Sequence, residues 1–257
     1  MADLYVAAPE DGEDPGLTSR VRVWYEEHPT DVWRPEESAE TLVGTGGSDR
    51  LLAALDAELP VDARVLDLGC GAGRSSCYLA LAGREVVGLD LAMTGLLRAE
   101  AFRRRAEIPS VTFARANLFR PPVGPETVDA ALFLGTLESS GNPVAALRAA
   151  ARCLKPDGWV VLQVRTPWAP EPAATADGLP PLHGGYSPEA VLSWVSEAGL
   201  LACNADPPLA PFSRVRPLLA ENSVGSWLGR ALHQFSWRGS AGPASLVVVA
   251  RKRRATT

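Results

Sequence analysis

Two rhythms alternate along the chain. Short apolar runs with the character of buried strands lie at 65–68 (VLDL), 84–90 (REVVGLD), 110–116 (SVTFARA), 127–135 (TVDAALFLG) and 158–164 (GWVVLQV). Between them, apolar residues recur every three to four positions and read as helices, over Ser75–Ala82, 92–107 (AMTGLLRAEAFRRRAE) and 142–154 (NPVAALRAAARCL). The last of these opens with Asn142 as its cap and Pro143 in its first turn. A further helix, SPEAVLSWVSEAG, begins on Ser187–Pro188 and stops at Gly199; LLACNA (200–205) and SLVVVARK (245–252) read as final strands. Upstream, SDRLLAALDAEL reads as a helix with Ser48 as its cap, Leu51, Leu52, Leu55 and Leu59 on one face, and Pro60 as its stop. Strands alternating with helices imply βαβ units in an α/β fold. The expected form is a doubly wound, mostly parallel seven-stranded sheet with helices on both faces and ligands at the carboxyl ends of the strands.

Two stretches interrupt the alternation. Residues 165–186, rich in proline and glycine, make a loop longer than ordinary connections, and such loops tend to be functional. Residues 207–240 contain a helical stripe of Trp227, Leu228, Ala231, Leu232 and Phe235; core packing is the simpler reading, a substrate lid or dimer face the sharper one. The expected organisation is therefore an N-terminal extension, residues 1–47, as a candidate helical cap. One domain follows over 48–257, with 165–186 and 207–240 as substrate-side insertions. Residues 1 to about 20 are polar and rich in acid, glycine and proline, and are expected to be loose.

Composition narrows the partners. A chain of 257 residues, 46% hydrophobic and 21% charged, can bury a full core, and its net charge of −5 argues against a broad nucleic-acid footprint. The basic run FRRRAE (102–107) ends a helix, where cations offset the dipole, and RKRR (251–254) trails the last strand as a solvated tail. The acidic N-terminus lacks signal-peptide order, and no apolar run could span a bilayer. Cys70, Cys77, Cys153 and Cys203 form no CxxC pair and have no histidine at metal-ligand spacing. The expectation is a cytoplasmic protein with reduced thiols, no metal, no nucleic-acid partner and no membrane association; monomer and homodimer both remain open.

The chemistry concentrates in VLDLGCGAGR, residues 65–74. Glycines 69, 71 and 73 follow a strand and let backbone approach a ligand closely. A dinucleotide turn wants G-x-G-x-x-G, but Arg74 stands where its last glycine belongs, and Asp67 would repel a pyrophosphate while attracting an ammonium. The pattern D-x-G-x-G-x-G resembles the glycine-rich motif of class I S-adenosylmethionine-dependent methyltransferases, and the resemblance runs from about Leu59 onward. It implies a Rossmann-like fold and S-adenosyl-L-methionine as cofactor. By that family's pattern Asp67 faces the methionyl ammonium, and Gly69, Gly71 and Gly73 pack along the methionine moiety. Asp90 accepts from the ribose hydroxyls, and Leu91 covers the adenine. RANLF places Asn117 and Leu118 at the adenine edge, where the family commonly has Asp; an amide there offers either a donor or an acceptor. Leu134 and Gly135 lie on the sulfonium side, and the Lys-Pro-Asp-Gly turn at 155–158 is structural.

Methyl transfer needs orientation and a dry site more than a base. The candidate base is His183, in the long loop, with an exposed loop histidine as the equal alternative. Glu138 is expected at a cap or on the surface rather than in the site; Tyr25 and His28 belong to an N-terminal segment that in related folds closes over the cofactor, with packing the simpler role for Tyr25. His233 is read as structural. Trp24, Trp33, Trp168, Trp194, Trp227 and Trp237 lie outside the strand motifs, several in segments that would cap the site, which suits a flat or apolar acceptor. The expected function is methyl transfer to a small-molecule acceptor, oxygen slightly ahead of nitrogen or carbon. Two alternatives stay open: a cofactor-binding protein of this fold that transfers no methyl, and a methyltransferase acting on protein or nucleic acid. An NAD-dependent oxidoreductase fits the glycine spacing poorly.

Overall fold

The computed structural model describes residues 13–28, 38–40, 42, 51–52, 55–56, 59–169, 185–206 and 245–253. In chain order these form α1 (Pro15–Glu27), β1 (Arg64–Leu68), α2 (Arg74–Leu81), β2 (Glu85–Asp90), α3 (Met93–Arg105), β3 (Val111–Arg115) and β4 (Val128–Leu134). A 3-10 turn at Leu137–Ser139 precedes α4 (Pro143–Cys153), β5 (Leu154–Arg165), α5 (Pro188–Glu197), β6 (Leu200–Asp206) and β7 (Ser245–Lys252). The expected caps are in place: Asn142 Oδ1 accepts from Ala145 N–H at 3.0 Å, and Ser187 Oγ from Ala190 N–H at 3.3 Å.

The seven strands form one sheet in the order β3-β2-β1-β4-β5-β7-β6. β1 to β5 pair in parallel, and β7 runs antiparallel to both β5 and β6. Successive strands spread one way from β1 to β2 and β3, then the other way through β4. The order therefore reverses between β1 and β4, which opens a crevice at their carboxyl ends.

Side chains alternate across the sheet, and helices bury both faces. Val65, Ala130, Leu132, Val247 and Val249 pack on one side with Leu79 and Phe102. Leu66, Leu68, Ala131, Phe133, Leu246 and Val248 pack on the other with Leu147 and Val191. Leu51, Leu52, Leu55 and Leu59, expected on one helical face, are all buried in the first of these clusters. No helix among the described residues is long and apolar enough to cross a membrane.

Two boundaries differ from expectation. Residues 13–20 are not loose: Asp14 caps α1 by accepting from Leu17 N–H at 3.0 Å, and Pro15 starts the helix. β5 begins at Leu154 rather than Gly158, because Leu154 already pairs with Val128 before a register shift restores the ladder at Ala130–Trp159. The Lys-Pro-Asp-Gly stretch lies inside this bulge, with Asp157 at φ 65° and Lys155 Nζ 2.8 Å from Asp129 Oδ1. The stripe at 227–235 falls outside the described residues, as does most of the 165–186 loop.

Candidate functional site

The crevice at the switch point holds a cavity of about 440 Å³, within the usual range for small-molecule sites. The three glycines after β1 build it in different ways. Gly69 takes its place against Thr136, whose side chain a Cβ would strike. Gly73, at φ 78°, closes the turn into α2, and a Cβ there would collide with Phe113 and Ala99. Gly71, at φ 53°, has nothing within 4 Å of its would-be Cβ, so its backbone faces the open cavity. Gly69 and Gly71 line the cavity; Gly73 stands off its wall and serves packing.

Two carboxylates meet at this turn. Asp90, ending β2, accepts from Gly71 N–H and Ala92 N–H, each at 2.8 Å, and so ties the glycine turn to the start of α3. Burial pushes its pKa up, against these backbone N–H groups that hold it down. Asp67 is 2% exposed and accepts the Ser76 hydroxyl at 2.6 Å. Burial raises its pKa to about 6, the Ser76 hydrogen bond opposes this, and the charge of Asp90 adds to the rise. Both acids line the cavity, with Cys70 between the glycines; burial and the two acids push that thiol well above its ordinary range.

Leu91, Asn117, Leu118, Leu134 and Gly135 complete the expected set on the wall. Asn117 Oδ1 accepts Phe119 N–H at 3.0 Å. Gly135, like Gly71, has open space where a Cβ would be. The structure thus brings Asp67, Gly69, Gly71, Asp90, Leu91, Asn117, Leu118, Leu134 and Gly135 to one cavity. His183 lies outside the described residues.

The roof is helix α1, from which Thr18, Val21, Arg22 and Tyr25 line the same cavity. At one end of the helix, Glu26 accepts Met93 N–H at 2.8 Å, Thr94 N–H at 3.0 Å and the Thr94 hydroxyl at 2.8 Å. Burial pushes the Glu26 carboxyl up, but these hydrogen bonds prevail and hold it below its usual range. At the other end, Glu13 accepts Asn117 Nδ2–H at 2.6 Å and lies 3.5 Å from Arg120. Tyr25, expected to pack, instead faces the cavity with its hydroxyl 3.3 Å from Ser139 Oγ, and burial raises its pKa. None of α1's contacts was legible from spacing between motifs; the Asp14–Pro15 start signal was the available clue.

Glu138 corrects another expectation. It is 7% exposed rather than at the surface, with Oε1 accepting Arg165 N–H at 2.6 Å, and burial raises its pKa. His28 stacks on Trp24 with ring centroids 4.5 Å apart and ends α1. Of the six tryptophans, Trp24, Trp168 and Trp194 are described, and none lines the cavity. Trp194 packs edge-on against Tyr186, and Trp168 is exposed. Trp33, Trp227, Trp237 and His233 lie outside the described residues.

Comparison with known proteins locates the same region. Residues 66–162, from β1 to β5, match the family described as a methyltransferase domain. The chain is 33% identical over 98 residues to a ubiquinone biosynthesis O-methyltransferase of Paracidovorax citrulli, a match covering 38% of this chain and 41% of that protein. It is 34% identical over 154 residues to a demethylmenaquinone methyltransferase of Beutenbergia cavernae, covering 54% and 62%. The matches thus span about two to three fifths of the length of these curated relatives. Among solved structures, the [4+2]-cyclase SpnF superposes with a TM-score of 0.59 at 18% identity, over 93% of both chains. A sarcosine dimethylglycine methyltransferase from Galdieria sulphuraria gives 0.57 at 18%, over 91% of this chain and 98% of that one. At such identities these structures speak for the fold.

Proposed function

We propose that the chain is a class I S-adenosylmethionine-dependent methyltransferase that moves a methyl group from this cofactor to a small-molecule acceptor, oxygen slightly ahead of nitrogen or carbon. One observation carries the reading: a single cavity gathers a bare glycine backbone, two acids and a carboxamide at the switch point of the sheet. The residues fit the cofactor by charge and reach. Asp90 takes backbone N–H groups of Gly71, Ala92 and Leu91, and a remaining carboxylate lone pair would meet a ribose hydroxyl. Asp67 offers a buried negative charge to the methionyl ammonium. The open faces of Gly71 and Gly135 let the methionyl and sulfonium portions approach backbone. Leu91 and Leu118 would flank the base, and Asn117 would meet its edge.

The cofactor, when bound, supplies a methyl carbon already activated by its sulfonium. The chain's own part is to orient the partners and exclude water, which α1 does by laying Val21 and Tyr25 over the cavity. His183 is the residue proposed to take the acceptor's proton. His183→Ala is then expected to spare cofactor binding and lower turnover, and an unchanged turnover removes that role. Residues 48–257 form the catalytic domain in this proposal and residues 1–47 its cap, in a cytoplasmic enzyme.

Relatives named for ubiquinone biosynthesis and demethylmenaquinone support an acceptor that is a small molecule. The test is a panel of phenols, quinols, amines and carbon acids incubated with methyl-labelled cofactor, beside protein and RNA. Label on a small molecule, with S-adenosylhomocysteine released in step, is expected; label on protein or RNA alone contradicts it. A second reading is cofactor binding without methyl transfer, because the residues gathered at the cavity would hold the cofactor with or without transfer. Turnover of an acceptor without S-adenosylhomocysteine release would select it.

A further inference from the structure

The two sides of the cavity differ in chemistry. Among the described residues, its charged wall members are Arg22, Asp67, Arg74, Asp90 and Arg98, from α1 and from the elements β1 to α3. Arg22 lies one turn before Glu26, on the face of α1 that meets the start of α3. The turn after β4 and the end of β5 give Gly135, Thr136, Ser139, Ser140 and Gln163, none of them charged. In the proposal above the cofactor's ammonium and ribose belong to the charged side and its sulfonium lies beside Gly135. The uncharged side is left to the acceptor.

The hydroxyls on that side are not equivalent. Each has one hydrogen to donate and two lone pairs. Thr136 gives its hydrogen to the Gly69 carbonyl at 3.4 Å, and Ser140 to the Leu137 carbonyl at 2.8 Å. The Tyr25 and Ser139 hydroxyls meet each other at 3.3 Å, and neither has another hydrogen-bond partner among the described residues. One of their two hydrogens closes that contact, whichever atom donates, so the pair keeps one hydrogen to give. Burial raises the Tyr25 pKa, the Ser139 contact opposes the rise, and the charges of Glu138 and Asp90 add to it, so the phenol keeps its proton. The Tyr25 ring is held edge-on against Trp24, with centroids 5.0 Å apart.

We propose that the Tyr25–Ser139 pair seats the methyl acceptor by giving its spare hydrogen bond to the acceptor's reacting atom, which makes that atom a hydroxyl oxygen. Such an oxygen has two lone pairs. One forms the new bond to the methyl carbon as the carbon–sulfur bond breaks and its electron pair returns to sulfur. The other accepts the hydrogen bond, and the oxygen's proton leaves to the base, the part given above to His183. A neutral amine has a single lone pair, which the same hydrogen would occupy where it is needed for attack. The carbon of a carbon acid has none before its proton is lost. Tyr25 and Ser139 are thus specificity-determining residues for oxygen, one from the roof and one from the turn after β4. This rests on the reading that the cavity holds S-adenosylmethionine with its sulfonium beside Gly135.

The experiment gives the full chain methyl-labelled S-adenosylmethionine and ring-matched probes: phenol and aniline, 1-naphthol and 1-naphthylamine, and 2-aminophenol, which carries both nucleophiles on one ring. The wild type is expected to methylate the phenols and to label 2-aminophenol on oxygen. Tyr25→Phe or Ser139→Ala alone leaves one hydroxyl with its hydrogen free, so each should cost less than the two together. The double variant should lower kcat/KM for the phenols by roughly threefold to tenfold, as loss of a neutral hydrogen bond does. It should spare the amines, shift 2-aminophenol toward nitrogen, and keep S-adenosylhomocysteine affinity by calorimetry. A merely structural role slows transfer to oxygen and nitrogen alike, and an unchanged ratio overturns the inference. If the double variant does not fold, the wild type still decides, since label on the nitrogen of 2-aminophenol, or on no phenol of the set, also overturns it. A folded wild type that binds no S-adenosylhomocysteine takes down the cofactor reading as well, whereas binding with transfer to nitrogen takes down this inference alone.

Discussion

Asp90 is engaged before any ligand arrives. Its two oxygens hold Gly71 N–H and Ala92 N–H at 2.8 Å, so the acid proposed to take the ribose also fixes the turn beside it. Asp90→Ala is therefore expected to weaken S-adenosylhomocysteine binding by about 1.5–3 kcal/mol, measured calorimetrically, since hydrogen bonds to a charged acceptor are of that size. Asp67 makes the site sensitive to pH. With its pKa raised from 3.8 to about 6, it is charged at neutral pH and becomes protonated as pH falls through 6, so affinity for the cofactor's ammonium end should drop over pH 7 to 5. The stability of the unliganded chain moves oppositely. Asp67's contribution is fully present below pH 4 and is lost as pH rises through about 6. Asp67→Asn should flatten both profiles, and parallel calorimetry and thermal melts across that range would show whether it does. At this scale the sequence revealed the acids because they adjoin glycines at fixed spacing. It concealed Glu13, Glu26 and Tyr25, whose partners lie 67 to 114 positions away along the chain and follow no local pattern.

Helix α3 lacks a cap of its own. Ala92 occupies the capping position without a side-chain hydrogen bond, and Glu26 of α1 reaches the first N–H groups instead. Glu26→Ala is expected to cost about 1–2 kcal/mol in urea unfolding, the size of a lost cap, and an unchanged midpoint would show that α1 does not brace α3. The glycine turn separates stability from binding. Gly73→Ala forces a Cβ into φ 78° and against Phe113 and Ala99, a loss of about 1–2 kcal/mol or more. Gly71→Ala carries a left-handed backbone cost at φ 53° but meets no collision and intrudes on the cavity, so it should cost less stability than Gly73→Ala and also reduce cofactor affinity. Comparing melts with binding for the two variants distinguishes these roles. Helices and strands of strong period were legible within a residue or two, as with Arg74–Leu81 and Val128–Leu134. The early start of β5 was not, because Lys-Pro-Asp-Gly reads as a turn while the backbone around it still pairs. Of the helical cap expected over residues 1–47, the start of α1 was missed, because residues 1 to about 20 read as loose for their polar composition, although Asp14–Pro15 is an ordinary helix start.

For the whole molecule, alternation of strand and helix was enough to specify a doubly wound sheet, since parallel strands need crossover helices and buried faces. Strand direction at the far edge carries no periodic signal, and β7 inserting antiparallel between β5 and β6 was beyond reach of the pattern. The consequence for function is a cavity whose floor comes from the sheet and whose roof comes from the segment before it. S-adenosylmethionine is the proposed occupant of this cavity. Equilibrium dialysis of the purified, folded chain against labelled S-adenosylmethionine at neutral pH decides this. Saturation at one molecule per chain, abolished or strongly weakened by Asp90→Ala, is the expected result. A chain with intact secondary structure that retains no label at millimolar cofactor would contradict it.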